Sequence, residues 1–184
     1  MSSAMNAQIV EPYASALMAL AKDIDKVNTF AENARSFLVA LKETPELQSF
    51  IANPILKSED KKEVLQTICG KGIDTYFLNF LLILVDRRRI LFLAPICEEF
   101  VALQRKLNNI VLAEVTSATA LTRSQEDAIA DQVKAMAKAD QVELDITTDT
   151  ELIGGVVIKI GSQVFDASLR GQLRRIGIGL MGTN

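Results

Sequence analysis

The sequence predicts an α+β protein, with an N-terminal six-helix bundle followed by a small C-terminal α/β domain that holds a β-hairpin and a terminal helix. Two observations predict this class. Apolar residues recur at three- and four-residue spacing up to about residue 107, which is typical of amphipathic helices. After Asn108-Asn109 the spacing changes to the alternation of apolar and polar residues that is typical of strands.

The first three helices follow from their apolar stripes and from the residues that begin and end them. Segment 9–24 carries the first stripe, and segment 27–41 carries the second. Thr44-Pro45 predicts a third helix, with Thr44 as its N-cap and the proline in the first helical position. Asn53-Pro54 ends that helix, because the residue before a proline disfavours helical backbone.

Three more helices complete the predicted bundle. Ser58, followed by two acidic residues, predicts the N-cap of a fourth helix, which stops at Gly70-Lys71-Gly72. The fifth, Thr75–Val85, is apolar on nearly every side and is therefore predicted to lie centrally. The sixth spans Leu93–Leu107, and short connections of this kind favour a helical bundle.

The rest of the chain predicts a strand–helix–strand unit. Ile110–Thr116 is typical of a buried strand, and segment 142–147 alternates as a second strand does. Thr122-x-x-Gln125 predicts a capping box at the start of the helix between them. The apolar stripe of that helix consists of Ile129, Val133 and Met136.

A hairpin and a helix are predicted to follow. Gly161-Ser162 separates strands Val156–Ile160 and Gln163–Phe165, as a two-residue hairpin turn does. Asp166 is predicted to cap a terminal helix, whose apolar stripe is Leu169, Leu173, Ile176 and Leu180. We place the domain border near residues 104–109, which gives domains 1–106 and 107–184.

Composition limits the classes of function. A net charge of −3 argues against sequence-independent binding to phosphate backbones. The absence of histidine removes Ser-His-Asp and Cys-His catalysis and histidine metal ligation. The sequence therefore predicts no catalytic residue, no metal and no cofactor, and it predicts neither a secretory leader nor a membrane-spanning segment.

Several motifs have a functional and a structural interpretation. Gly154-Gly155 and Gly161 fit neither common nucleotide-binding spacing, so we interpret them as turn glycines. Cys69 and Cys97 are predicted to be buried thiols, with a structural disulfide or a redox switch as the alternative. The run Arg87–Arg89 ends a helix, where cations complement the helix dipole; a patch for nucleic acid or anionic lipid is the alternative.

The first helix offers the most promising surface. It is rich in alanine, while Tyr13 and Leu17 provide bulk. A shallow surface beside a very apolar helix can leave a groove for the amphipathic helix of a partner. Close packing between helices inside the bundle is the alternative interpretation of the same spacing.

Three segments resemble a known family. Pro12-Tyr13-Ala14 lies at the start of the predicted first helix, and segment 79–91 runs from Asn79-Phe80 to Arg89-Ile90-Leu91. The most specific pattern is Leu152-Ile153-Gly154-Gly155-Val156-x-Ile158-x-Ile160-Gly161, followed by Asp166-x-Ser168-x-Arg170-Gly171-x-Leu173. Over essentially its whole length the chain resembles the delta subunit of the H+-translocating ATP synthase, whose mitochondrial counterpart is the oligomycin-sensitivity-conferring protein.

The resemblance implies a non-catalytic stator subunit of the peripheral stalk. Its partners would be the N-terminal segment of an alpha subunit, the b-type stalk subunits and the rest of the ATP synthase head, with no nucleic acid. It further implies a groove for the alpha segment between the first and fifth helices, at Tyr13, Ala16, Leu17 and Ile83. Arg170 and Arg174 are candidate stalk contacts, and Gly154, Gly155, Gly161, Asp166 and Gly171 are turn residues. The run Arg87–Arg89 departs from the family, which usually has Asn or Gly before its Arg.

The expected location is peripheral, on the cytoplasmic or stromal face of a bacterial plasma membrane or a thylakoid. Contact with the membrane would be indirect, through the complex. Two alternatives remain open at this stage. One is a small α/β enzyme, which lacks an identifiable nucleophile–base pair, and the other is a helical adaptor for nucleic acid or another complex, using Arg87–Arg89 and Arg170–Arg175.

Overall fold

The computed structural model describes residues 3–70 and 72–181, with side chains described for residues 8–70 and 72–175. These residues contain eight α-helices and one four-stranded sheet, so the predicted α+β class is confirmed. The chain divides after Gln104 into two compact units. No helix in the described ranges is both long enough and apolar enough to cross a membrane.

Six α-helices come first along the chain, and the sixth begins in the first unit and ends past Gln104, at Leu107. A short 3-10 helix, Ile90–Phe92, was not predicted and precedes the last of them. The helix bounds are α1 Ser3–Asp23, α2 Val27–Glu43, α3 Pro45–Ala52, α4 Ser58–Cys69, α5 Thr75–Asp86 and α6 Leu93–Leu107.

Two predicted helix starts are wrong in detail, those of α1 and α4, and the predicted start of α3 is correct but lacks a capping bond. Helix α1 begins at Ser3, so Pro12 lies inside it rather than at its start. Thr44 occupies the N-cap position of α3, but its side chain makes no capping hydrogen bond. Lys57, not Ser58, is the N-cap residue of α4, and α4 likewise has no side-chain cap.

An aromatic cluster holds the core of the first unit. Phe77 of α5 is completely buried, and its ring centroid lies 5.7 Å from that of Phe30 and 6.5 Å from that of Phe37, both on α2. Helix α5 is less central than predicted, because Tyr76, Asn79 and Ile83 form an exposed stripe along it. The buried side of α5 therefore packs on α2, and its other side faces solvent.

The second unit contains the predicted strand–helix–strand crossover and the hairpin. Strands β1 (Ile110–Ser117) and β2 (Gln141–Thr148) are parallel, and α7 (Arg123–Ala137) connects them. Strands β3 (Val156–Ile160) and β4 (Gln163–Asp166) are antiparallel, and the sheet order is β2-β1-β3-β4. Helix α8 (Leu169–Met181) follows β4.

Only one face of this sheet is covered by α7. Ile129 and Val133 of α7 pack against a small core that includes Ala113, Val115 and Ile158. Met136, which was predicted to share this inner stripe, is 42% exposed, so that prediction is wrong. The opposite face carries polar pairs, among them Lys159 with Glu114 at 2.9 Å, because strand residues alternate between the two faces.

The start of α7 agrees with the prediction. Thr122 is its N-cap residue, and the Thr122 backbone N–H donates a 2.9 Å hydrogen bond to Oε1 of Gln125. The Gln125 side chain therefore satisfies a donor that the helix itself leaves unpaired.

Candidate functional site

The first candidate surface lies where α1 meets α5. The ring centroids of Tyr13 and Phe80 are 6.4 Å apart in an edge-to-face arrangement, which brings the two helices together. Ala16 follows Tyr13 by one turn of α1 and is exposed. Ile83 follows Phe80 by one turn of α5 and is 51% exposed. A small side chain and an exposed apolar side chain thus flank an aromatic contact between half-buried Tyr13 and buried Phe80.

Leu17 lies beneath this surface, and Arg89 lies beside it. Leu17, predicted to line the groove, is 1% exposed and therefore belongs to the core beneath it. The guanidinium carbon of Arg89 lies 5.8 Å from the Tyr13 ring centroid, within the range of a cation–π interaction. No local pattern of residues indicated this contact, since Arg89 and Tyr13 belong to distant segments.

The second candidate surface lies where the turn before β3 meets the start of α8. Ile153 has φ +65° and its side chain is 68% exposed. A positive φ is unfavourable for a β-branched residue, because Cβ crowds the backbone. The loop is nevertheless held in place, since the Gly154 carbonyl oxygen accepts the Leu169 N–H at 2.9 Å and the Gly155 carbonyl oxygen accepts the Ala118 N–H at 3.3 Å.

Ser168, rather than Asp166, caps α8. The Ser168 hydroxyl oxygen accepts the Gly171 N–H at 3.0 Å, which is the bond that an N-cap side chain makes to the third helical residue. Asp166 acts through Ser168, whose N–H and hydroxyl donate to Oδ1 of Asp166 at 2.9 and 2.6 Å. A Cβ on residue 171 would overlap the Asp166 carboxyl group, so this network requires Gly171.

Helix α8 presents apolar and basic side chains to solvent. Leu169 is 46% exposed and Leu173 is 61% exposed, so this stripe does not pack in the core. Ile176 and Leu180, predicted to continue the stripe, lie outside the described side chains. Arg170 lies 3.3 Å from Glu151 in an exposed ion pair, which contributes little to stability. Arg174 is exposed and forms no ion pair within residues 8–70 and 72–175.

We name the group formed by Ile153, Leu169, Leu173, Arg170 and Arg174 the α8 surface. An exposed apolar patch edged with basic residues is typical of a protein-binding surface. The sequence indicated the two arginines, but not Ile153, whose exposure follows from the turn.

The described residues contain no candidate metal-binding cluster. They contain no group of three or more Cys, Asp or Glu that could hold a metal ion. Cys69 and Cys97 are buried and unpaired. Burial raises the pKa of the Cys69 thiol to about 11 and also raises that of Cys97, so both thiols are protonated at neutral pH.

The capping network predicts how the second unit responds to acid. Hydrogen bonds from the Ser168 side chain and backbone lower the pKa of Asp166 below its ordinary value. A carboxyl group with a depressed pKa in the folded state stabilises the fold above its unfolded-state pKa, about 4, and this stabilisation is lost as the pH falls through the folded-state value. We expect Asp166→Asn to flatten the fall in the urea-unfolding midpoint of the second unit between pH 6 and pH 3.

Hydrogen–deuterium exchange of β3 and β4 over a urea series would report this midpoint. Asp131→Asn, on the exposed side of α7, is the matched control and should keep the wild-type pH dependence. An unchanged acid response in Asp166→Asn would contradict the role given to the Asp166–Ser168 network.

Comparison with known proteins covers nearly the whole chain. A family model described as the ATP synthase delta (OSCP) subunit matches residues 9–180. The chain is 67% identical over 180 residues to ATP synthase subunit delta of Picosynechococcus sp., covering 98% of this chain and 97% of that one. It is 49% identical over 178 residues to ATP synthase subunit delta of Synechocystis sp., covering 97% and 96% of the two chains.

A solved structure supports the fold. The chain resembles one in the cryo-EM structure of the Toxoplasma gondii mitochondrial ATP synthase hexamer, with a TM-score of 0.76 and 23% identity. The match covers 96% of this chain and 99% of that one. At this identity, the likeness bears on the fold alone.

Proposed function

The chain belongs to the ATP synthase delta (OSCP) subunit family, and from this we propose that it joins the alpha/beta catalytic head of the enzyme to the b-type subunits of the peripheral stalk. It is a delta subunit, a structural component of that stalk. The observation that carries the proposal is the match over 98% of the chain at 67% identity. In this role the chain holds the head still against the torque of the rotor, so that proton flow drives ATP synthesis.

The surface between α1 and α5 is suited to the N-terminal segment of an alpha subunit. Exposed Ile83 offers apolar area, and the small side chain of Ala16 lets a partner helix approach the α1 backbone closely. Amphipathic helices bind in grooves of this kind through apolar residues spaced three and four apart. Tyr13, buried Leu17 and Phe80 support the groove from beneath, which keeps its shape fixed before binding.

The α8 surface is suited to the b-type stalk subunits. Its apolar side chains can pack on a helix, while Arg170 and Arg174 can pair with acidic residues of the partner. The strained but firmly bonded turn at Ile153 supports this assignment, because strained residues persist where the surrounding structure fixes them and often mark functional sites.

This role places the chain in a complex on an energy-transducing membrane, attached through its partners. Our proposal includes the cytoplasmic or stromal face of a plasma or thylakoid membrane, and the similarity to two ATP synthase delta subunits supports only the membrane complex itself. The nucleic-acid alternative is not favoured, because Arg89 of the predicted basic patch lies over Tyr13.

The assignment of the first surface predicts the effect of filling the groove. Ala16→Trp adds a large side chain where a partner helix would approach, so we expect the full chain to bind a synthetic alpha N-terminal peptide at least tenfold more weakly. Because Ala16 is exposed, the free energy of unfolding should change by less than about 1 kcal/mol. Isothermal titration calorimetry measures the affinity, and co-purification with alpha and beta subunits tests it in the complex.

Ser36→Trp is the control for adding a tryptophan side chain outside the groove. Ser36 is exposed on α2, away from Tyr13 and Ile83 in sequence, and this variant should bind the peptide as the wild type does. Wild-type affinity in Ala16→Trp would rule out the α1–α5 surface. Failure of the wild-type chain to co-purify with alpha and beta would overturn the proposed function itself.

A further inference from the structure

A basic cavity lies on a different part of the first unit from Tyr13 and Ile83. It has a volume of about 460 Å³ and lies beside the start of α4. Three cations, Lys57, Lys61 and Arg88, line it together with the single carboxylate of Glu59. We call it the Lys61 cavity.

Lys61 is the central observation, because it is a buried cation without a carboxylate partner. It is 8% exposed, and its ammonium donates a 2.8 Å hydrogen bond to the carbonyl oxygen of Ile51 near the end of α3. Among the described residues Lys61 forms no ion pair, whereas the next residue, Lys62, lies 2.6 Å from Asp86. An ammonium carries three donors, and a buried charge is destabilising unless it is paired. An anion from outside the unit would supply the missing partner.

Arg88 adds a second reason to expect an anion. It has φ +55° at the end of α5, where the Arg89 N–H bonds the Leu84 carbonyl oxygen at 2.8 Å in a Schellman turn. Gly or Asn occupies this left-handed position with less strain than Arg. The arginine here instead adds a charge to the Lys61 cavity.

The rim of the cavity points to a peptide rather than a free anion. Ile55 is 88% exposed and Leu91 is 55% exposed, and both line the cavity beside the cations. An inorganic anion would leave this apolar area in water, whereas apolar side chains next to a carboxylate would cover it. An adjoining cavity that shares Leu91 continues past Leu41 and Ala94, which gives the same peptide a further apolar path.

We propose that the Lys61 cavity is a second docking site, which binds a partner segment carrying an Asp or Glu flanked by apolar residues. The carboxylate accepts hydrogen bonds from the Lys61 ammonium, with Arg88 and Lys57 nearby, and the apolar neighbours pack on Ile55 and Leu91. The inference rests on the proposed function, since the partner segment belongs to another subunit of the assembled ATP synthase. Together with the contact at the α1–α5 surface, a second contact on this unit would oppose rotation of the head about the α1–α5 contact.

Photocrosslinking in the assembled complex tests this site. With Ile55 replaced by p-benzoylphenylalanine, we expect a crosslink to a segment of another subunit that mass spectrometry identifies as containing Asp or Glu beside apolar residues. Lys61→Met removes the charge but keeps a similar volume, and it should lower the crosslink yield roughly tenfold, since a charge-assisted hydrogen bond is lost. Lys61→Arg should retain at least half of the yield, and Lys22→Met, at the exposed end of α1, should leave it unchanged.

Arg88→Asn keeps the test decisive if Lys61→Met fails to fold. Asn tolerates the left-handed backbone at this position, so the fold should be retained while one cation is removed, and the yield should fall about threefold. Crosslinks confined to this chain or to lipid, a partner segment without a carboxylate, or an unchanged yield in folded Lys61→Met or Arg88→Asn would overturn the inference. In each of these outcomes co-purification with alpha and beta still shows whether the proposed function holds.

Discussion

Replacing Phe77 with alanine is expected to lower the free energy of unfolding of the first unit by about 3–5 kcal/mol. Phe77 is completely buried, and its ring contacts those of Phe30, Phe37 and Phe80. Phe80 in turn contacts Tyr13, so this cluster joins α5 to both α2 and α1. The variant leaves a cavity that a close-packed core cannot refill, and we expect it also to weaken binding of the alpha peptide.

Tyrosine fluorescence of the full chain measures this effect selectively. The chain has two tyrosines and no tryptophan, and Tyr13 and Tyr76 both belong to the first unit. A urea titration followed by this signal therefore reports unfolding of the first unit. Asn79→Ala, an exposed substitution on the same helix, is the matched control and should change stability by less than about 0.5 kcal/mol. A loss below about 1 kcal/mol in Phe77→Ala would contradict the central role of the cluster.

Gly155→Ala is expected to produce a comparably large effect in the second unit. Gly155 has φ +81°, and an added Cβ would overlap the Ala167 carbonyl oxygen and lie 3.0 Å from Cα of Ser168. Both neighbours are backbone atoms and cannot rotate away. We expect a loss of about 3 kcal/mol, from the strain of positive φ together with the overlap. Since Ser168 caps α8, displacing it should also disrupt the α8 surface and weaken binding to the b-type subunits.

Gly161→Ala separates the cost of backbone strain at positive φ from the cost of steric overlap with Cβ. Gly161 has φ +57° in the hairpin turn, but no atom lies within 4 Å of an added Cβ, so this variant should lose only about 1 kcal/mol. Hydrogen–deuterium exchange of β3 and β4 measures both losses, while the tyrosine signal should stay at its wild-type midpoint. Gly155→Ala would then retain the alpha peptide and lose the stalk partner. Equal losses in the two glycine variants would contradict the overlap.

Local signals explain why most element bounds could be predicted. Each of these signals acts on the backbone of the residue that carries it. Helix α3 therefore starts at Pro45, α4 ends before Gly70, and the hairpin turns at Gly161-Ser162, as the sequence indicated. Capping was harder to predict, because several neighbouring residues can serve. Lys57 rather than Ser58 precedes α4, and Ser168 rather than Asp166 caps α8. Which of them caps depends on the direction from which the chain enters the helix.

Burial was predicted less well than secondary structure. Periodicity shows which side chains share a face, but not whether another element covers that face. Met136 and Leu173 both belong to apolar stripes, yet each is exposed. The sequence did not indicate that Lys61 is buried, because a lysine on a helix is ordinarily solvated. Its position against the end of α3 results from packing between segments that are distant in sequence.

By itself the sequence determined the α+β class, the order of the elements and the family resemblance, because these depend on patterns along the chain. The tertiary structure alone decided which surfaces are available to partners. Contacts between distant segments, such as Tyr13 with Phe80 and Arg89, define the first surface. The close approach of Gly155 to Ala167 positions α8 and leaves Ile153 exposed. Such contacts depend on how elements pack in space, which no local pattern of residues specifies.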